Sequence, residues 1–232
     1  MIKAIVFDID GTLLDHEQAL ESSLIYLYSR VRNQIPHSSF EDFYSTWRDR
    51  THRYINEYLD GHISFEQQRI LRVQSVFKKW GQELTPEEAM DIFQQYLINY
   101  EQNWTLFVDT LPCLTTLKNY PLGIISDGEG EQQRKKLEKT GITSFFSSII
   151  ISAEVGLRKP HPELFKMSAN SLNLSFDEIL YVGDLLKNDA LGASNVGMRG
   201  VWLDRKNQDH LNTEVITITK LTELPKIIDM FQ

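Results

Sequence analysis

The sequence predicts an α/β fold, a doubly wound parallel sheet with a block of helices inserted after its first strand. Three observations carry that prediction. A short, wholly apolar strand, Ala4–Phe7, opens the chain and ends in Asp8-Ile9-Asp10-Gly11. From Asp15 to about Trp104 the apolar spacing is helical, with no convincing strand. After Thr105, short apolar runs alternate with helical stretches, the rhythm of βαβ units. The expected division is a core of residues 1–14 and 105–232 and a helical domain of residues 15–104.

Ala4–Phe7 is too uniformly apolar for a half-solvated strand, so it reads as a central strand with both faces covered. Its carboxyl end is then where a ligand belongs. In the insert, Leu20, Leu24, Leu27 and Val31 give His16–Arg32 one buried stripe. Ser38 with Glu41, Ser64 with Gln67 and Thr85 with Glu88 match reciprocal capping boxes, with Pro86 at a first helical position. Ile70, Val73, Phe77 and Trp80 line a helix starting near Phe65 and stopping at Gly81. The second half reads as helix 108–120, strand 122–126, helix 128–140, strand 148–152 and helix 162–172. Strand 179–183, helix 189–196, strands 201–203 and 215–218 and helix 221–231 complete it.

The net charge of -8 and pI near 5.3 argue against a nucleic-acid polymer or an anionic membrane as partner. No apolar run reaches spanning length and nothing resembles a signal peptide, so a cytoplasmic protein, monomer or homodimer, is the expectation. Cys113 is the only cysteine, which excludes an intramolecular disulfide, and it reads as packing.

Four strand ends present polar groups to one edge of the sheet: Asp8 with Asp10, Ser126, Lys159, and Asp184 with Asp189. Carboxylates without histidine or cysteine beside them suit a hard cation, Mg2+ rather than zinc. Lys159, Ser126 and the backbone N–H groups of Asp127 and Gly128 make a complementary clamp for phosphoryl oxygens. Cation plus clamp points to a small phosphorylated metabolite. Asp8, fixed by the sheet, reads as nucleophile, and Asp10, on the turn, as general acid and then base. Asp184 reads as a metal ligand, and Asp189 as a group orienting a water or Lys159 from behind. Blander readings stand beside these: Lys159 as a solvated loop residue, Ser126 and Asp189 as caps, His161 as structural or solvated. Gly128 to Gln133 only partly mimics a dinucleotide fingerprint. Trp47, Arg50, Tyr54 and Tyr58 share a helix face that is either core or a platform for a base.

Asp8-Ile9-Asp10-Gly11-Thr12, Ser126, Lys159-Pro160 and Gly183-Asp184 followed by Asp189 resemble, in order and spacing, the four motifs of the haloacid dehalogenase superfamily. The resemblance implies a Rossmann-like core, Mg2+, and Asp8, Asp10 and Asp184 as metal ligands, Asp10 through its backbone carbonyl. It also implies that the helical insert is a cap. Within the superfamily, residues 130–141, Glu154-Val155-Gly156 and 61–67 are similar to nucleoside 5′-monophosphate and acylneuraminate 9-phosphate phosphatases. One departure is Asp127, where that family usually has Asn; its carboxylate would repel a phosphate unless it points away.

The expected activity is a magnesium-dependent phosphatase working through an aspartyl-phosphate. A phosphosugar mutase would share that intermediate and yield an isomer, and a phospho-receiver switch would be phosphorylated without turnover. Dehalogenase chemistry is disfavoured because the corresponding enzymes lack the second aspartate, present here as Asp10.

Overall fold

The computed structural model describes residues 1–207 and 215–232. Among them, β1 (Ala4–Phe7), β2 (Leu122–Ser126), β3 (Ser148–Ile151), β4 (Ile179–Gly183), β5 (Arg199–Leu203) and β6 (Ile216–Ile218) form one parallel sheet. The order is β3-β2-β1-β4-β5-β6, so the first strand is central, as its apolar sequence requires. Ala4 and Val6 pack on Leu164, Phe165, Ala169 and Ala193, while Ile5 and Phe7, which alternate to the other face, are also fully buried. Ile5, Val6 and Phe7 each contribute roughly 1.5–3 kcal/mol of burial. Phe7 pairs with Ile124 on one side and Val182 on the other, which brings the exits of β1, β2 and β4 to one rim. Strand order reverses beside β1, and a ligand crevice opens at such a reversal.

Contacts divide the chain into two compact units, Met1–His16 with Trp104–Gln232, and Glu17–Asn103. The chain leaves and re-enters the first unit as a short antiparallel pair. Leu14 bridges Leu106, the Asp15 N–H donates to the Thr105 carbonyl (3.0 Å), and the Phe107 N–H donates to that of Leu13 (3.1 Å).

Four helices account for residues 16–102: α1 (His16–Val31), α2 (Phe40–Leu59), α3 (Phe65–Lys78) and α4 (Pro86–Gln102). In the second unit Leu24, Leu27, Phe43, Trp47, Phe77 and Phe93 belong to one core. Trp47 is fully buried with its ring 4.8 Å from that of Tyr96, so it serves packing. The Ser64 and Thr85 capping boxes form. The Ser38 box does not: Ser38 Oγ donates to the Ile35 carbonyl (2.7 Å), and Ser39 caps α2 by accepting from the Asp42 N–H (3.1 Å).

In the first unit the expected helix 108–120 contracts to α5 (Thr110–Thr116), and α6 spans Gly130–Lys139. β3 stops at Ile151, because Ser152 opens a one-turn helix, α7 (Ser152–Val155); α8 is Pro162–Leu172. Asp189 does not start a helix but lies inside a π-helical turn, Leu186–Ala190, that runs into α9 (Leu191–Asn195). Its carboxylate reaches back to accept the Leu185 N–H at the start of that turn (2.9 Å). α10 (Leu224–Asp229) closes the chain. No helix among the described residues is long and apolar enough to cross a membrane.

Candidate active site

Asp8 sits one residue beyond β1, its N–H still donating to the Val182 carbonyl (2.9 Å), so the sheet fixes its backbone. Its buried carboxylate accepts from Lys159 Nζ (2.7 Å). The same Nζ donates to Asp189 Oδ1 (2.7 Å) and lies 3.3 Å from Tyr181 Oη, and Lys159 is only 3% exposed. Lys159 is therefore no solvated loop residue. One carboxylate oxygen from each of Asp8, Asp184 and Asp189 lies within 4.8 Å of the others.

Asp8 and Asp189 thus share one lysine, with the Asp184 carboxylate close beside them. Burial pushes Asp8 well above the usual carboxylate range and Asp189 and Asp184 add to it, against the pull of Lys159. Asp184 is pushed up to about 6, by burial first and by Asp189 next. Burial works to lower Lys159, but Asp189 and Asp8 outweigh it and raise the ammonium. The cluster carries excess negative charge, its donors are all oxygen, and it has no His or Cys among its members, so it fits a hard divalent cation. This acidic triad can hold a metal ion.

Two glycines let the carboxylates close up. A Cβ on Gly11, whose φ is +85°, would lie 2.3 Å from Asp184 Oδ2, and one on Gly183 would lie 2.3 Å from Asp189 Cγ.

The Asp10 carboxylate belongs to a neighbouring cluster. It accepts from Lys136 Nζ (2.8 and 2.7 Å) and from Gln133 Nε2 (2.8 Å), and the same Nε2 lies 2.6 Å from Ser126 Oγ. Burial works to raise Asp10, but Lys136, His16 and these hydrogen bonds outweigh it and hold the carboxyl below its ordinary value. Asp127 Oδ1 accepts from Ser152 Oγ and from the Lys159 N–H (3.0 Å), so its charge is bonded away toward the next loop. Gly128 follows it, half-buried, just before Glu129 caps α6. His161 Nδ1 accepts the Glu163 N–H at the start of α8 (3.3 Å).

The family model of the haloacid dehalogenase-like hydrolases matches residues 2–197. The chain belongs to that family. This haloacid dehalogenase-like hydrolase is 28% identical to the glyceraldehyde 3-phosphate phosphatase of Pyrococcus furiosus, over 100% of this chain and 93% of that one. It is 31% identical to the protein of the same name from Pyrococcus abyssi, over 87% and 81%. Human N-acylneuraminate-9-phosphatase is 28% identical over 55% of this chain and 53% of its own. The fold is shared with the putative HAD-hydrolase YfnB of Bacillus subtilis: TM-score 0.80, 23% identity, 98% and 99% covered. The family and its phosphatase relatives make the chain an enzyme of the phosphoric monoester hydrolase class.

Three partners escaped the reading of this hydrolase's sequence. Gln133 and Lys136 share the inner face of α6 with Leu137, and polar residues at that spacing beside a buried leucine were the available signal. Tyr181 lies mid-strand in β4, where an aromatic residue reads as packing; its hydroxyl is 3.1 Å from Asp189 Oδ1.

Proposed function

We propose that this hydrolase is a magnesium-dependent phosphatase that dephosphorylates a small phosphorylated metabolite through a phosphoryl group carried on Asp8. The observation that carries the proposal is the charge arrangement at the rim, with Asp8 beside Asp184 and ion-paired to Lys159 while Asp10 is held by a second lysine. Asp8, Asp184 and the Asp10 backbone carbonyl would hold Mg2+, which when bound offsets negative charge on nucleophile and phosphoryl group. Lys159, Ser126 and the N–H groups of Asp127 and Gly128 bind the phosphoryl oxygens. An Asp8 carboxylate oxygen attacks phosphorus as the bond to the departing alkoxide breaks, and Asp10 gives that alkoxide a proton. Asp10 is poised as a carboxylate by Lys136, so the proton comes in with the substrate, whose phosphate has a second pKa of about 6. Water then attacks phosphorus, Asp10 accepts its proton, and phosphate leaves Asp8 free. Residues 15–104 are assigned the cap role in choosing the substrate.

The test is phosphate release with Mg2+ from glyceraldehyde 3-phosphate, phosphoserine, nucleoside 5′-monophosphates and acylneuraminate 9-phosphate. Turnover on one of these, reduced to background by Asp8→Asn with the circular dichroism unchanged, is expected. An isomerised phosphosugar without free phosphate would favour the mutase, and wild-type turnover in Asp8→Asn would remove Asp8 from its role.

A further inference from the structure

The turn after Asp10 spends its donors inward and its outward carbonyls on one side chain. The Gly11 N–H donates to the Leu14 carbonyl (2.9 Å), and the Ile9 carbonyl accepts the N–H groups of Thr12, Leu13 and Leu14 (3.3, 2.9 and 2.9 Å). From β5's exit, Arg205 Nε donates to the Gly11 carbonyl (3.2 Å) and Nη2 to that of Thr12 (2.6 Å). The same guanidinium grips Asp109 with two hydrogen bonds, Nη1 to Oδ2 (3.1 Å) and Nη2 to Oδ1 (3.0 Å), and lies 3.7 Å from the Phe107 ring centroid. Asp109 Oδ2 is itself fixed by the Leu221 N–H (2.8 Å).

We infer that Arg205 is a positioning residue for the Asp10–Thr12 turn, setting the backbone against which Asp184 and the proposed cation sit while touching neither substrate nor cation. The tolerance there is small. Gly11 has no room for a Cβ beside Asp184 Oδ2, and Thr12 Oγ1 stands 3.5 Å from Asp184 Oδ1. A slide of the turn by about an ångström would drive Gly11 and Thr12 into the Asp184 carboxylate or draw them off it. The planar fork reaches two carbonyls and a carboxylate at once, which an ammonium on a flexible stem cannot do. Phe107 and Asp109 belong to the segment whose Leu106 pairs with Leu14, so Arg205 ties the exit of β1 to the returning chain.

The consequence for the cation rests on the function proposed above, so the test has two arms. In the metal-free protein, hydrogen exchange is measured on the peptide covering residues 8–15 in wild type, Arg205→Lys and Thr110→Val. Thr110 Oγ1 donates to the Leu13 carbonyl (2.8 Å), one residue past the Arg205 contacts, and serves as the control for general loosening. Arg205→Lys is expected to speed exchange at Thr12–Leu14 by at least about tenfold with β4 unchanged. In calorimetric titration, Arg205→Lys is expected to weaken Mg2+ binding by about 10–100-fold, as loss of a group behind a metal's ligands does. Thr110→Val is expected to stay within about threefold of wild type.

Unchanged exchange in Arg205→Lys overturns the inference, and so does an equal loss of Mg2+ affinity in Thr110→Val. If wild type itself fails to bind Mg2+, the proposed function fails, and the exchange arm alone decides Arg205. Should Arg205→Lys not fold, Phe107→Leu removes only the ring beneath the guanidinium and is expected to move both readouts the same way; no movement there overturns the inference.

Discussion

Replacing Asp184 with Asn is expected to stabilise the metal-free protein at pH 8 and to remove most of the protection that Mg2+ gives. The carboxyl of Asp184 stands at about 6 against an ordinary 3.8, through burial and then the charge of Asp189. Between those values the folded protein binds more protons at this position than the unfolded chain does. Stability therefore falls as pH rises through that window, and above it the carboxylate remains as a standing cost. A shift of about two units corresponds to roughly 3 kcal/mol. For a chain of this length each kcal/mol moves the melting temperature by about 2–4 °C, so near pH 8 the variant should melt about 6–12 °C above wild type. Near pH 4 the two should converge, because Asp184 is then largely protonated. Asn keeps the acceptor for Thr12 Oγ1 and leaves the main-chain carbonyl that takes Trp202 Nε1 (2.9 Å) untouched, so charge is what changes. Scanning calorimetry in EDTA across pH 4–8, repeated with Mg2+, reads the effect. A variant melting at or below wild type at pH 8 without metal would refute the reasoning from excess negative charge.

Lys159→Met leaves Asp8 and Asp189 buried without their cation, and should cost about 3–5 kcal/mol in urea unfolding of the metal-free protein at pH 7. A loss under 1 kcal/mol would mean that the carboxylates find other compensation. Lys136→Met releases the Asp10 carboxylate and should lower kcat by about 10²-fold or more with KM nearly unchanged, the scale of general acid–base catalysis. A rise in KM alone would make Lys136 a substrate-binding group. Burial pushes the Cys113 thiol up to about 12, so an aromatic disulfide reagent at pH 8 should label it only after unfolding, and rapid labelling of the native protein would show that the thiol is reachable.

What the sequence disclosed was whatever leaves a local signature. Ala4–Phe7 announces a central strand because only a strand covered on both faces dispenses with alternation, and a polar residue directly after such a strand must lie at the rim. Asp8 and Asp184 were visible for that reason. Lys136 was not, because it sits in the run Arg134-Lys135-Lys136 and its neighbours look like ordinary solvated charge near a helix end. Its burial follows from α6 presenting Gln133, Lys136 and Leu137 inward. Arg205 carries no local mark at all: its partners lie 96 and about 194 residues away, and only the sheet order brings them within reach. Ser38 and Ser39 show a finer limit, since either serine could cap by its sequence, and in the fold Ser38 bonds the Ile35 carbonyl and leaves the cap to Ser39.

Asp127 explains how Lys159 is delivered to a cluster that lies on no strand of its own. β1 and β4 carry Asp8 and Asp184 into place through register alone, whereas Lys159 stands in the loop between α7 and α8, where nothing in the ladder fixes it. The Asp127 carboxylate supplies that fixture. It accepts the Lys159 main-chain N–H and the Ser152 hydroxyl, and so brackets both ends of the segment 152–159 against the exit of β2. With that backbone held, the Lys159 side chain runs inward to share its ammonium between Asp8 and Asp189, with Tyr181 closing the far side. A carboxylate that would repel a phosphate if it faced one thus serves the rim by accepting two donors from the segment that carries Lys159.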